Sequence, residues 1–255
     1  MARFWVGTSG WDYRHWRSGV FYPDGLDSAA RLRHYATIFD CVELNSTFYH
    51  TPREATLHGW RERTPAGFLF AYKGARAITH VRRLAGAEEL VERVLARAAL
   101  LGEKLGPVLW QLPPSSPCDL ERLAAFLALL PAGHRYAFEF RHPSWFAPAC
   151  YALLRAHNAA LVWGDTPRYP LVKEATADFV YARLHGHEVL YASGYRPEQL
   201  AAWAADFRQA LDRQLDVFVF FDNDAQGHAP HDAGALRDLM RSGSAVRLPP
   251  TPTRA

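Results

Sequence analysis

Tyr136-Ala137-Phe138-Glu139-Phe140-Arg141-His142-Pro143-Ser144-Trp145 is the stretch on which the reading of this chain turns. An apolar run breaks off in a carboxylate, a guanidinium and an imidazole, followed by a proline, a hydroxyl and an indole. If 136–140 is a buried strand, Glu139, Arg141 and His142 stand at its C-terminal end, where open α/β sheets and β/α barrels place their chemistry. Adjacent charges also arise as a salt-bridged lid over a strand end, so the rest of the chain has to decide.

Working outward, the same pattern repeats. Short apolar runs at 4–7, 41–45, 68–72, 108–112, 160–164, 179–184 and 217–221 read as further strands. Between them lie helical patterns. Asp27 or Ser28 caps a helix with Leu32, Tyr35 and Phe39 at helical spacing, and Asp119 caps another with Leu123, Phe126, Leu127 and Leu130. Thr51-Pro52-Arg53-Glu54 combines a cap, a first-turn proline and a following glutamate, which predicts a helix start. A long helix is expected over 87–105, stopped by Gly106-Pro107, with others over 149–157, from near Pro197, and around Leu236 to Met240. After the sixth strand, 166–177 carries Pro167 and Pro170 and no periodicity, so the helix there should be short or missing.

Continuous apolar strands alternating with helices call for a parallel sheet covered on both faces. Eight such units in 255 residues predict an α/β fold, a TIM-type (β/α)8 barrel, as a single domain over 1–241 with a flexible tail over 242–255. An open doubly wound sheet is the alternative, weakened because no βα turn carries a GxGxxG.

Composition narrows the function classes. A formal net charge of +3 falls short of the basic stripe that non-specific nucleic-acid binding needs, so a small partner is favoured over a nucleic acid. Cys41, Cys118 and Cys150 are odd in number, widely spaced and form no CxxC pair, which points to free buried thiols. No basic leader or apolar run of membrane-spanning length is present, so a cytoplasmic location is the expectation, with no membrane partner and oligomeric state left open.

Barrel closure would gather the strand ends at one mouth: Thr8 and Ser9, Glu43 and Asn45, Lys73, Gln111, Glu139 with Arg141 and His142, Asp165, Arg183 with His185, and Asp222 with Asn223. Polar groups buried there cost a few kcal/mol each unless paired, so they form a closed network or await a ligand.

Gly7-Thr8-Ser9-Gly10-Trp11 with Phe21-Tyr22-Pro23, Glu43-Leu44-Asn45-Ser46-Thr47-Phe48-Tyr49, Lys73, Thr79-His80, Gln111-Leu112-Pro113-Pro114, the opening decapeptide and Arg183-Leu184-His185-Gly186 together resemble the signatures of the YecE-like family, domain of unknown function 72. The resemblance spans nearly the whole chain. It implies a TIM-type barrel and brings no reaction with it. In that family the last strand usually ends in an Asn-Asn pair, whereas here it reads Asp222-Asn223.

Three chemistries remain. The first is an enzyme acting by acid/base chemistry on a small anionic substrate, phosphorylated or carboxylated and sugar- or nucleotide-like. Glu43, Glu139, Lys73, His142 and His185 would be its catalytic groups. Thr8, Ser9, Trp11, Asn45, Tyr49, His80, Gln111, Arg141, Trp145, Arg183 and Asn223 would be its binding groups, and no cofactor is expected. A glycosidase is a variant in which Glu43 and Glu139 form the carboxylate pair. The bland reading has Glu43 paired with Lys73 and Glu139 with Arg183 in a ligand-free network. The second chemistry is a metal-dependent barrel hydrolase or isomerase using Glu139, Asp165, His185 and Asp222, opposed by the arginines beside them. The third is a non-catalytic module binding an anionic ligand or nucleic acid, with Trp11, Tyr13, Tyr49 and Trp145 stacking on rings.

Overall fold

The computed structural model describes residues 1–242. Strands β1 (Phe4–Thr8), β2 (Cys41–Leu44), β3 (Leu69–Lys73), β4 (Leu105–Gln111), β5 (Tyr136–Glu139), β6 (Ala159–Asp165), β7 (Phe179–Leu184) and β8 (Asp216–Phe221) form one sheet. They are interleaved with helices α1 (Ser28–Ile38), α2 (Glu54–Arg63), α3 (Glu88–Ala99), α4 (Leu120–Ala128), α5 (Pro148–Ala156), α6 (Pro197–Asp212) and α7 (His228–Arg241). The strands pair in parallel in the order β1-β8-β7-β6-β5-β4-β3-β2, a nearly closed TIM-type barrel. Except for Ser242, the expected tail lies outside the described residues.

At the remaining seam, between β1 and β2, a backbone bridge and side chains replace the continuous ladder. Ser9 bridges Glu43, and the Gly10 N–H donates to the Glu43 carbonyl at 2.8 Å. Below that level the Tyr35 hydroxyl of α1 stands in for a ladder, accepting from the Thr8 N–H at 2.8 Å and donating to the Cys41 carbonyl at 3.1 Å. Gly7 permits the approach, because a Cβ there would lie 2.1 Å from the Cys41 carbonyl oxygen.

Alternation along the strands divides the core in two. One apolar cluster, including Trp5, Ala71, Leu109, Ala137 and Phe218, fills the barrel, and a larger one lies between strands and helices. Following the inner positions toward the C-terminal ends, Ala71 is succeeded by Lys73, Leu109 by Gln111, Ala137 by Glu139, and Phe220 by Asp222. The polarity of the mouth is therefore a continuation of the inward-facing register.

The helix after β6 is absent among the described residues. Residues 166–178 instead form a strap fastened by side chains: Thr176 Oγ1 accepts from the Leu161 N–H at 2.7 Å and donates to the Ala159 carbonyl at 2.6 Å. Two expectations are corrected. The helix predicted over 87–105 ends at Ala99, turns tightly over Gly102–Lys104 with Gly102 at φ +58°, and leaves Gly106 and Pro107 inside β4. Pro107 has no N–H for the ladder, and the β3/β4 register shifts between Phe70 and Tyr72 beside it. Nor does Thr51 cap α2, which begins at Glu54 behind an extended Arg53. Proline's fixed φ suits an extended approach as well as a first helical turn, so Pro52 did not locate the boundary.

Candidate active site

Arg183, at the end of β7, is wholly withdrawn from water and gathers three carboxylates. Its Nε and Nη2 donate to Glu43 Oε2 at 3.0 Å and Oε1 at 2.7 Å, its Nη1 to Glu139 Oε2 at 2.6 Å, and its Nη2 also to Asp222 Oδ2 at 2.8 Å. Ser9 Oγ and Tyr181 OH donate to the two oxygens of Glu43 at 2.8 and 2.6 Å. Arg141 Nε reaches Glu139 Oε1 at 2.7 Å, and His185 Nδ1 lies 3.0 Å from Asp222 Oδ2. Buried charges survive only when paired and fully hydrogen-bonded, and this cluster meets both conditions.

The electrostatics follow from the pairing. Burial works to raise the Glu139 carboxyl, but Arg141 and Arg183 hold it well below the usual range. Burial likewise opposes Asp222, which Arg183, His185 and Lys73 bring down to about 2. Arg183 is disfavoured by burial and restored above its ordinary value by Glu43, Glu139 and Asp222. Its charge is thereby committed to holding the barrel ends together.

Above this cluster opens a cavity of about 420 Å³ whose wall includes Tyr13, Asn45, Lys73, Arg76, His80, Gln111, Arg141, Tyr191, Asp222 and Asp224. Lys73 has no carboxylate partner among the described residues. Its Nζ donates to the neutral Asn45 Oδ1 at 3.0 Å and lies 4.8 Å from the Phe48 ring centre. Burial, then the nearby Arg183, lower this amine to about 8. His80 is lowered to about 4 by burial and by Arg141, Lys73 and Arg76. Asp224 is raised by burial and by Asp222, so two carboxyls on one wall are pushed in opposite directions.

The expected residues separate into three groups. Asn45, Tyr49, Lys73, His80, Gln111 and Arg141 line the cavity. Ser9, Glu43, Glu139, Arg183 and His185 form the ion-paired layer beneath it. Thr8, Trp11, His142, Trp145 and Asn223 lie elsewhere. Thr8 bonds Tyr35 and the Gly10 carbonyl in the seam. Trp11 packs edge-on against Trp60, lining a neighbouring cavity with Tyr13 and Tyr49. His142 caps the turn at Pro143–Trp145 through its Nδ1. Trp145 stacks on Phe140 with ring centres 4.2 Å apart and donates to the Ser116 carbonyl. Asn223 donates to the Ser193 carbonyl and Asp232, tying β8 to the neighbouring loop and α7.

One pairing is also corrected, while that of Glu139 with Arg183 is present. Glu43 binds Arg183 rather than Lys73, because its strand places it beside β1 and within reach of β7. Of the four candidate metal ligands, Glu139, His185 and Asp222 adjoin one another around Arg183, and Asp165 stands apart. Asp165 turns to His187 at 3.1 Å and to Trp203 Nε1 at 3.2 Å, while Glu139 and Asp222 are taken by Arg183. Among the described residues no group of three or more His, Cys, Asp or Glu side chains is arranged to hold a metal ion. The sequence reading missed Phe48, Tyr191 and Asp224. Asp224 was visible in the Asp222-Asn223-Asp224 run, whereas Tyr191 sits in the loop beyond β7, where no strand-end rule reaches; its hydroxyl lies 3.5 Å from Arg141 Nη2.

Fold and site together define a TIM-type β/α barrel with an ion-paired centre under an open polar mouth. The chain belongs to the family described as "Protein of unknown function DUF72", whose model matches residues 5–255. It is 34% identical over 145 residues to UPF0759 protein YecE of Escherichia coli strain K12, covering 56% of this chain and 50% of that protein. The aligned part thus spans about half the length of the Escherichia coli relatives, K12 and O157:H7. UPF0759 protein YunF of Bacillus subtilis strain 168 is 26% identical over 273 residues, covering 92% and 94% of the two chains. Among solved structures, a DUF72 family protein of Thermotoga maritima MSB8 matches with TM-score 0.82 at 29% identity, covering 94% of this chain and 99% of that one. One from Enterococcus faecalis V583, at 20% identity, shares the fold with TM-score 0.79 over 94% and 96%.

Proposed function

We propose that the mouth binds a small carboxylated or phosphorylated substrate and performs acid/base chemistry on it. One observation carries this reading: the three carboxylates of the central layer are committed to Arg183, while Lys73 above them hydrogen-bonds the neutral Asn45 and makes no salt bridge among the described residues. An anion entering the cavity supplies the missing partner, with Arg76 and Arg141 on the same wall to hold it. Lys73 is the proton-transferring group in this reading, because its amine changes state close to neutral pH while Glu139 stays ionised. The same pinning argues against Glu139 as the general acid of a glycosidase, which needs a raised carboxyl.

Cys41, Cys118 and Cys150 are free thiols, which supports a reducing, cytoplasmic setting. Among the described residues no helix is long and apolar enough to cross a membrane. Crystals grown with sodium sulfate test the proposal. Sulfate density bridging Lys73 Nζ and the Arg141 guanidinium is the expected result, and a mouth holding only water at saturating sulfate refutes it.

A further inference from the structure

The chain contains 29 Lys and Arg residues, of which Lys73, Lys104 and Lys173 are the three lysines. Two of the three have plain structural duties. Lys104 Nζ is fastened to the Arg61 and Thr64 carbonyls, each at 2.6 Å, and Lys173 lies on the Trp203 ring beside Asp206. Lys73 has neither a backbone-carbonyl nor a carboxylate anchor among the described residues: it ends β3 at the floor of the cavity, held by one side-chain amide oxygen, with its Nζ 4.8 Å from the Phe48 ring centre. Almost everywhere else this protein uses arginine, which cannot shed its proton and so cannot act as a nucleophile.

We infer that Lys73 is an imine-forming nucleophile for a carbonyl compound bearing a carboxylate or phosphate. The inference rests on the anion-binding reading above and adds the reaction. The unprotonated Nζ attacks the carbonyl carbon, and the carbonyl oxygen takes up a proton to give a carbinolamine. Loss of one water, whose oxygen comes from the carbonyl, leaves a C=N bond. The proton carried by this imine makes the adjacent carbon acidic, so the reaction class is carbon–carbon cleavage or proton abstraction beside a carbonyl.

The surroundings meet the needs of each step. The amine is lowered to about 8, so a usable fraction is unprotonated near neutral pH. Committing Glu43, Glu139 and Asp222 to Arg183 keeps an ion pair from trapping the ammonium form. Arg76 and Arg141 stand on the same wall for the anionic end of the substrate. Asp224 lines the same cavity, its carboxyl raised by burial and by Asp222, and solvent water supplies the proton taken up by the departing oxygen.

Because there are so few lysines, the test is direct. The full chain is incubated with sodium cyanoborohydride and either pyruvate or dihydroxyacetone phosphate, with neutral dihydroxyacetone as control, and analysed by intact mass and peptide mapping. The inference expects one adduct per chain, located on Lys73, absent from both K73R and K73M, suppressed by inorganic sulfate, and forming roughly 25-fold faster at pH 8.5 than at pH 6.5 as the free-amine fraction rises. Adducts on Lys173 or the N-terminus with Lys73 unmodified overturn it, as does no adduct at all. Sulfate binding measured on the same sample separates the two readings. Binding without trapping removes the imine and keeps the anion site; loss of both removes the pair.

Discussion

Arg183 and Glu43 come from β7 and β2, strands that share no ladder, and meet through two hydrogen bonds with both side chains fully out of water. A single guanidinium therefore ties β7, two strands in from the β1 side of the seam, to β2 across it, with Glu139 and Asp222 on its remaining faces. Breaking this arrangement is predicted to be a stability event first. R183M leaves three buried carboxylates without their cation and should cost on the order of 3–5 kcal/mol in urea unfolding. R183K should recover little of it, since one ammonium cannot reproduce the fork that meets Glu43 on two atoms. A Lys variant as stable as the parent contradicts the assignment.

The seam offers a second, separable test. Y35F removes the hydroxyl that serves the Thr8 N–H and the Cys41 carbonyl, and should destabilise by about 1–3 kcal/mol while leaving sulfate affinity unchanged. G7A should cost more, because its Cβ has to displace the Cys41 carbonyl itself. Equal stabilities for Y35F and the parent show that the seam is held by something else.

Acid should loosen the mouth in two stages. His80 has its folded value depressed from 6.5 to about 4, so its contribution is complete above pH 6.5 and is lost as pH falls toward 4. Asp222, depressed from 3.8 to about 2, and Glu139, depressed from 4.5, keep theirs until lower pH and lose it as pH falls through their folded values. Melting temperature against pH should therefore drop gradually between about 6.5 and 4 and then steeply. An H80F variant should lose the first stage and keep the second. If H80F and the parent fall together, His80 is not the group responsible.

Asp222 helps keep Lys73 protonated. D222N should thus move the Lys73 titration below 8, and it should also weaken the hold on Arg183 by one carboxylate. NMR of ε-carbon-labelled lysine reads this directly with three signals to assign. The parent should show the Lys73 signal titrating near pH 8, and D222N should shift that signal downward. An unshifted signal means Asp222 does not act on the amine.

Much of the architecture was legible because each β/α unit declares itself locally: an apolar run, a polar strand end and a capped helix such as the one behind Asp27 or Asp119. Even the missing helix after β6 could be read from Pro167 and Pro170. The site was legible only by strand, and within a strand the two-residue period was underused. Thr8 and Ser9 are neighbours and must face opposite ways, as must Asp222 and Asn223, so only one of each pair reaches the inner layer. What no local rule supplies is how the inner layer pairs once the ring closes. That Glu43 goes to Arg183 and leaves Lys73 to Asn45 depends on which side chains span the barrel from non-adjacent strands. The placements of Tyr191, in a long loop with φ +65°, and of Trp145, turned onto Phe140, likewise depend on tertiary packing.

Calorimetric titration with sulfate, whose charge is constant from pH 7 to 9.5, tests the central claim most directly. One sulfate per chain is predicted at pH 7, bound about tenfold more weakly by K73M, the loss of one charge-assisted contact worth about 1.4 kcal/mol, and more weakly by the parent at pH 9.5 once Lys73 has lost its proton. Equal affinity in the parent and K73M, or an affinity that does not change between the two pH values, contradicts an anion site built around Lys73.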